Sequence, residues 1–212
     1  MIKIAPSLLS ADFGHLESEI ASVVEGGADW LHLDVMDGHF VPNLTFGPFI
    51  VEAIRRLTDR TLDTHLMIED PLTYGPQFAA AGSDIVTFHI EAPVDPGATF
   101  DAIEAEGAKA GLVINPDTDV ARLEPWLERC HMVLVMSVFP GFAGQSFIPE
   151  VLDKVRALRG TYGFERDIEM DGGVSPATAA ACKEAGANVL VAGSAVFNQE
   201  DRAAAIRAIR EA

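Results

Sequence analysis

Residues 30–38 read Trp30-Leu31-His32-Leu33-Asp34-Val35-Met36-Asp37-Gly38, an apolar strand pattern that runs directly into a polar turn. Short apolar and often β-branched runs of this kind recur along the whole chain, at intervals of about 21 to 36 residues. Such an interval accommodates a strand, a loop and a helix of about 10–14 residues. The eight runs are residues 2–4, 30–35, 62–68, 85–90, 110–114, 132–138, 168–170 and 189–192.

The segments between these runs have helical spacing, as Leu16, Ile20 and Val23 illustrate. Glycine pairs and Gly-Ala steps precede several strands, which is typical of a helix that closes in a left-handed turn. An open doubly wound sheet is the alternative, but no Gly-x-Gly-x-x-Gly follows the first strand. The pattern therefore predicts an α/β protein with one (β/α)₈ TIM barrel spanning residues 1–212.

Composition excludes several classes of partner. The net charge of −17 disfavours nucleic acid and anionic membranes. The chain has no apolar stretch of the roughly 18–20 residues that a transmembrane helix needs, and its first residues do not resemble a signal peptide. Cys130 and Cys182 are too few for a disulfide framework. We therefore expect a cytoplasmic protein that binds neither nucleic acid nor membrane.

Four acidic and imidazole side chains are expected at the carboxyl ends of the strands. His32 and Asp34 lie two apart on one strand, so their side chains point to the same face. If that face is the barrel interior, His65 and Asp171 can converge on it. Two imidazoles and two carboxylates suit a divalent ion such as Zn²⁺, Fe²⁺ or Mn²⁺. The alternative is that each residue is a hydrogen-bonded part of the barrel.

Glycine-rich turns follow the sixth, seventh and eighth strands. Barrels of this type often bind phosphate there, through backbone N–H groups and a helix N-terminus. Glycine lets the backbone approach the anion without help from lysine or arginine, although glycine in such turns is often only structural. The candidate phosphate-binding residues are Gly141, Phe142, Ala143, Gly144, Gly172, Gly173, Gly193 and Ser194.

Three methionines, Met36, Met67 and Met136, occur near the ends of three different strands. Methionine in such places commonly fills the core. The functional alternative is an apolar cap that excludes water from the reacting carbon of a substrate.

With these residues in hand, the chain resembles the ribulose-phosphate 3-epimerase family nearly from end to end. The longest shared motif is residues 32–48, His-Leu-Asp-Val-Met-Asp-Gly-His-Phe-Val-Pro-Asn-Leu-Thr-Phe-Gly-Pro. The other matching segments are residues 6–13, 65–67, 88–92, 115–116, 140–145, 171–173 and 192–194. The resemblance implies a barrel of the ribulose-phosphate-binding type.

The resemblance also implies residue roles. One divalent ion per subunit, Zn²⁺ in the first place and otherwise Fe²⁺, Mn²⁺ or Co²⁺, would be held by His32, Asp34, His65 and Asp171. Asp34 and Asp171 would be the catalytic acid and base, and Ser10, His65 and Asp171 would contact the sugar. The glycine turns would hold the phosphate of a small sugar phosphate, and the subunits would form a homo-oligomer.

The implied reaction inverts C3 of D-ribulose 5-phosphate to give D-xylulose 5-phosphate. A proton next to a ketone is too weakly acidic for a carboxylate unless the enediolate is stabilised, and a divalent cation supplies that stabilisation. Two carboxylates on opposite faces would then remove and return the proton.

Two positions depart from the family pattern. Ala143 replaces a glycine of the usual Pro-Gly-Phe-Gly-Gly-Gln turn, and Phe139 replaces a residue that is usually polar. D-allulose 6-phosphate 3-epimerase is therefore an alternative activity, since alanine in this turn also occurs in that group. A non-catalytic sugar-phosphate-binding barrel is a further alternative. A lysine-dependent decarboxylase or aldolase is disfavoured because no lysine is expected at a strand end.

Overall fold

The computed structural model describes residues 1–142 and 144–212, which contain eight β-strands and eight α-helices. The strands are β1 (Lys3–Pro6), β2 (Trp30–Met36), β3 (Thr61–Met67), β4 (Ile85–His89), β5 (Lys109–Ile114), β6 (Met132–Met136), β7 (Asp167–Asp171) and β8 (Val189–Ala192). The helices are α1 (Leu16–Glu25), α2 (Pro48–Arg55), α3 (Pro71–Ala80), α4 (Pro96–Ala105), α5 (Leu152–Gly160), α6 (Pro176–Ala185), α7 (Ser194–Phe197) and α8 (Arg202–Glu211).

All strand pairs are parallel, and the sheet order β1-β8-β7-β6-β5-β4-β3-β2 places the first and second strands at its two ends. A parallel bridge between Ser7 and His32 joins these two ends, so the sheet is a nearly closed barrel. The predicted TIM barrel is therefore confirmed.

Alternating side chains on each strand supply two separate packed regions, as β2 shows. Leu31 and Leu33 are fully buried in the large cluster between the strands and the helices. His32 and Asp34 point the other way, into the barrel, and are also buried. Since parallel strands are covered on both faces, nearly every strand residue is buried. The inward set of β2 thus carries the polar side chains.

The helices begin at sites that their sequences specify. Proline is the first residue of α2, α3, α4 and α6, where its missing N–H costs no hydrogen bond. Asp70 and Asp95 cap α3 and α4 by accepting hydrogen bonds from backbone N–H groups. As predicted, a glycine closes α6: Gly186 has φ of 114°. In the described part of the chain, no helix is both long and apolar enough to span a membrane.

The connection between β5 and β6 departs from the regular alternation. It contains a 3₁₀ helix, Val120–Trp126, where the repeating pattern predicts an α-helix. Pro125 lies inside this segment and lacks the N–H that a continued α-helix would use. After β8 the chain instead forms two α-helices, α7 and α8, and α8 packs against both α1 and α6.

Candidate metal centre and active site

A cavity opens at the carboxyl ends of the strands, above the barrel interior. Asp34 and Asp171 reach it from β2 and β7, and the turns after β6, β7 and β8 form much of its wall. The cavity is lined by Ser7, Ser10, Asp34, Met36, Met67, Met136, Gly141, Phe142, Gly144, Asp171, Gly172, Gly173, Gly193 and Ser194, among others. His32 and His65 are fully buried at its floor.

Four potential ligand atoms converge at that floor. The Nε2 atom of His32 lies 3.5 Å from Oδ1 of Asp34 and 3.9 Å from Oδ2 of Asp171. The Nδ1 atom of His65 lies 3.5 Å and 3.8 Å from the same two oxygens. All four atoms are within 4.8 Å of one another.

The donor set and its spacing fit a metal ion. Zn²⁺ binds nitrogen and oxygen at about 2.0–2.2 Å, which places tetrahedral ligands roughly 3.3–3.6 Å apart, slightly closer than the 3.5–3.9 Å between these nitrogen and oxygen atoms. Among the described atoms, Nε2 of His32 and Nδ1 of His65 are buried and have no hydrogen-bond partner. Such atoms are costly to bury unless something binds them. The four residues could therefore hold a divalent ion in a mixed nitrogen and oxygen site.

The ring of His32 is fixed by a carboxylate deeper in the barrel. Its Nδ1 lies 2.6 Å from Oδ2 of Asp63, so it donates a hydrogen bond there. Its Nε2 is thereby left free to face the other three candidate ligand atoms. Glu169 is also buried here, with Oε1 3.7 Å from the same nitrogen. Burial and the charge of Asp63 raise the pKa of Glu169 well above its usual value.

The ring of His65 is held from the opposite direction. Its Nε2 lies 2.9 Å from Nε2 of His89, and the two rings stack with centroids 5.0 Å apart. Nδ1 of His89 in turn lies 3.2 Å from Oε2 of Glu91. The two imidazoles of the cluster thus face it through different nitrogens, Nε2 for His32 and Nδ1 for His65.

The two aspartates of the cluster have opposite pKa shifts. Burial raises the pKa of Asp34, but the neighbouring His32 and His65 outweigh it and hold that pKa below its usual range. Burial and the charge of Asp34 raise the pKa of Asp171 to about 7. Ser7 also donates a hydrogen bond of 2.5 Å from its Oγ to Oδ2 of Asp34. Without a bound ion, the two carboxyl groups therefore differ in their affinity for a proton.

Comparison with known proteins identifies the family. Residues 3–197 match the ribulose-phosphate 3 epimerase family. A ribulose-phosphate 3-epimerase of Synechocystis is 54% identical, over 99% of this chain and 93% of that protein. One of Bacillus subtilis is 53% identical, over 99% of both. The chain belongs to the ribulose-phosphate 3-epimerase family. The predicted family and enzyme class are thereby confirmed.

Solved structures outside the ribulose-phosphate 3-epimerase family share the barrel. A crystal structure of KGPDC from Streptococcus mutans superimposes with a TM-score of 0.78 over 99% of this chain and 96% of that one. Its sequence is only 18% identical. This likeness concerns the fold alone.

Two glycines in the turn after β7 of this epimerase-family chain are crowded by neighbouring residues. Gly172 has φ of 115°, and a Cβ there would lie 2.5 Å from Cγ2 of Val138. Gly173 has φ of 65°, and its Cβ would lie 2.8 Å from the backbone nitrogen of Phe147. These two positions therefore require glycine. Of the predicted turn residues, Ala143 lies outside the described part of the chain.

The structure brings together all the other predicted site residues, with two qualifications. Ser10 lies beside Gly193, where a Cβ would be 2.5 Å from its Oγ, while Ser7 is the serine that contacts Asp34. His65 is predicted to touch substrate as well as metal, but it is not among the residues that line the cavity.

Sequence reasoning missed the residues behind the candidate metal ligands in this family member. Asp63 and Glu169 stand two positions before His65 and Asp171, so the alternation that placed the ligands also directs them into the barrel. Ser7 shows only as the residue after β1. Asp63 and Glu169 thus have a detectable signal, the spacing of two from a candidate ligand, which Ser7 lacks.

Proposed function

We propose that this protein inverts C3 of a ketose phosphate, interconverting D-ribulose 5-phosphate and D-xylulose 5-phosphate with one bound divalent ion. The observation that carries the proposal is the convergence of two imidazole nitrogens and two carboxylate oxygens within 4.8 Å at the mouth of the barrel. The names of the relatives at 54% and 53% identity support the same activity.

His32, Asp34, His65 and Asp171 would hold the ion. Zn²⁺ is the first choice for four ligands of this kind, and Fe²⁺, Mn²⁺ or Co²⁺ also accept imidazole with carboxylate. When bound, the ion would act as a Lewis acid towards negative charge that develops on the ketose oxygens. The two imidazoles are neutral ligands, so the negative charge beside the ion would come from the ionised Asp34.

Asp34 and Asp171 would exchange the C3 proton. They stand on β2 and β7, which are separated by β1 and β8, and so approach the cavity from different directions. The ionised Asp34 would accept the proton while the protonated Asp171 donates one to the opposite face, and the reverse reaction exchanges these roles. Ser7, which donates to Asp34, keeps that carboxylate in place.

Three methionines would shield the reacting carbon from water. Met36, Met67 and Met136 all line the cavity and are at most 3% exposed. Met36 and Met67 face one another on neighbouring strands and pack with Val41. This apolar cap supports a site in which a carbanion-like intermediate is protected from bulk solvent.

The phosphate would bind to the turns after β6, β7 and β8, with Ser10 near the sugar. The crowded glycines Gly172 and Gly173 allow close approach of backbone N–H groups, and the helix α7 begins at Ser194 beside the same cavity. Gly141 and Gly144 add two further positions with positive φ. The proposal places the anion there because these groups are donors without a side-chain charge.

We predict a preference for the five-carbon substrate over D-allulose 6-phosphate. The cluster at Asp34 and Asp171 and the glycine turns fix the two ends of the substrate, so an added carbon misplaces one of them, and small misplacements are costly to rate. The measurement is kcat/KM for both sugar phosphates with the same metal and salt. D-ribulose without phosphate is the matched control and should react far more slowly. A tenfold or greater preference for the hexose phosphate would reverse the assignment and leave the reaction type intact.

Other classes of function are less well supported. A lysine-dependent decarboxylase or aldolase needs an amine at the substrate, but Lys154 donates to the backbone oxygens of Asn115 and Thr118, and Lys3 pairs with Asp167 outside the cavity. A purely binding barrel would not require acidic groups whose pKa values are shifted in opposite directions.

We also propose a cytoplasmic homo-oligomer. Cys130 and Cys182 are buried free thiols, which suits a reducing compartment.

The proposed self-association rests on exposed apolar surface. Leu44 and Phe49 are 73% and 70% exposed beside a large groove that Phe13 and Tyr74 also line, and apolar surface of this kind marks interaction sites. A second copy of the chain is the proposed occupant. Sedimentation equilibrium should give a multiple of 22.7 kDa, and a monomer at micromolar concentration would refute this proposal.

A further inference from the structure

A chain of hydrogen bonds leads away from the four candidate metal ligands, from His65 through His89 to Glu91. The first link joins the two Nε2 atoms at 2.9 Å, and the second joins Nδ1 of His89 to Oε2 of Glu91 at 3.2 Å. His65 and His89 are at most 1% exposed, so the link between their rings is shielded from water. None of the roles proposed above uses His89 or Glu91.

The positions of the protons in this chain follow from its two ends. Two imidazole nitrogens 2.9 Å apart can share a hydrogen bond only if one carries a proton and the other does not. A metal ligand at Nδ1 of His65 must offer a lone pair, so the proton of that neutral ring lies on Nε2 and is donated to His89. His89 then carries its own proton on Nδ1 and donates it to the carboxylate of Glu91.

The carboxylate end of the chain is anchored to the barrel. Oε1 of Glu91 accepts a hydrogen bond of 2.9 Å from the backbone N–H of Asn115, which follows β5. Burial raises the pKa of Glu91, but hydrogen bonds from His89, Thr118 and Asn115 outweigh it and lower the pKa to about 2. The acceptor at the far end is therefore ionised throughout the neutral range. Three neighbouring strand ends thus contribute to the chain: His65 from β3, His89 and Glu91 from β4, and the backbone N–H of Asn115 from β5.

We infer that His89 and Glu91 are positioning residues for the metal, which act through His65 by fixing its ring and directing Nδ1 into the cluster. The inference rests on the metal-dependent function proposed above. His32 obtains the same support in one step from Asp63, whereas His65 obtains it through a second imidazole. Outer partners of this kind orient metal-binding histidines, and their loss typically lowers metal affinity about 10–100-fold.

Glu91→Gln is the sharpest variant because it keeps the shape and removes one acceptor. If the amide oxygen faces His89, the NH₂ group opposes the N–H of Asn115. If the NH₂ group faces His89, the proton of that ring moves to Nε2, where it opposes the proton of His65. The first arrangement places two donors together at Asn115 and removes the anchor of the chain, and the second places two donors together between the rings and breaks the link to His65.

Two substitutions at His89 separate positioning from packing. His89→Gln retains an oxygen that can accept from Nε2 of His65, whereas His89→Leu fills the space without an acceptor. A positioning role predicts that the glutamine variant binds metal more tightly than the leucine variant. A role in packing against Phe40 and His65 alone predicts no such difference.

The experiment measures Zn²⁺ affinity of the metal-free protein by competition with a chromogenic chelator, together with ¹⁵N shifts that report the protonated nitrogen of His65. Glu124→Gln is the control, since it removes one charge from an exposed side chain. We expect Glu91→Gln to weaken binding about 10–100-fold and to change the ¹⁵N shifts of His65, with Glu124→Gln matching the wild type. If Glu91→Gln has the Zn²⁺ affinity and the His65 ¹⁵N shifts of the wild type, the inference is overturned, while the proposed function still stands. A wild-type protein that binds no Zn²⁺ and is fully active in chelator would overturn the proposed function as well.

Discussion

Asp34→Asn and Asp171→Asn are each expected to abolish net epimerisation. An asparagine amide neither accepts nor donates the C3 proton, and general acid–base catalysis commonly contributes about 10²–10⁴-fold to rate. The amide oxygen can still serve as a ligand, so the variants isolate proton transfer from metal binding. The measurement is turnover of D-ribulose 5-phosphate with the metal content of each variant determined in parallel.

Solvent exchange gives the finer test of the two-base arrangement. With one aspartate left, each variant can remove the C3 proton of one epimer only, so deuterium from solvent should enter different epimers in the two variants. Asp117→Asn, at the exposed rim after β5, removes the same charge and should leave both epimers reactive. Near wild-type interconversion by either active-site variant would exclude that residue as acid or base.

The sequence predicts the placement of the candidate metal ligands because strand side chains alternate with a period of two. His32 and Asp34 share the inward face of β2, and in the parallel register Asp34 lies beside His65 on β3. The same register places His32 beside Asp63, one layer deeper in the barrel. A polar residue two positions from a predicted ligand is thus predictable as a partner, once the face is known.

Ring orientation is not encoded in that period. Nothing in the spacing of His65 indicates that Nδ1 faces the cluster while Nε2 faces His89, since this depends on the rotation of the side chain and on a neighbour from another strand. The connection after β5 is a similar case. Pro125 and a short segment favour a 3₁₀ helix there, whereas the repeating pattern predicts an α-helix. Local sequence determines on which side of its strand each residue lies, whereas contacts between strands determine the orientation of each side chain.

Removal of the ion is expected to abolish activity. Substitution of either imidazole ligand is expected to prevent the ion from binding again. Wild-type protein should contain about one divalent ion per chain and lose turnover after treatment with a chelator. Zn²⁺, Fe²⁺, Mn²⁺ or Co²⁺ should restore it. His32→Ala and His65→Ala each remove a direct ligand. Loss of a residue that only supports a ligand lowers metal affinity by up to about 100-fold, so we expect loss of a ligand itself to lower it by at least that much. Elemental analysis and kcat in each metal are the measurements.

Stability provides an independent readout of the same site. Without a cation, Nε2 of His32 and Nδ1 of His65 are buried without hydrogen-bond partners, which costs about 1–3 kcal/mol for each unsatisfied group. An ion that binds only the folded protein removes this cost and adds stability that rises with its concentration. The Tm of the wild type should therefore rise when Zn²⁺ is added. His65→Ala should show little rise, whereas His15→Ala, which alters an exposed ring far from the cluster, should behave as wild type. Undiminished metal content in both ligand variants, with an unchanged rise in Tm, would place the ion elsewhere in the protein.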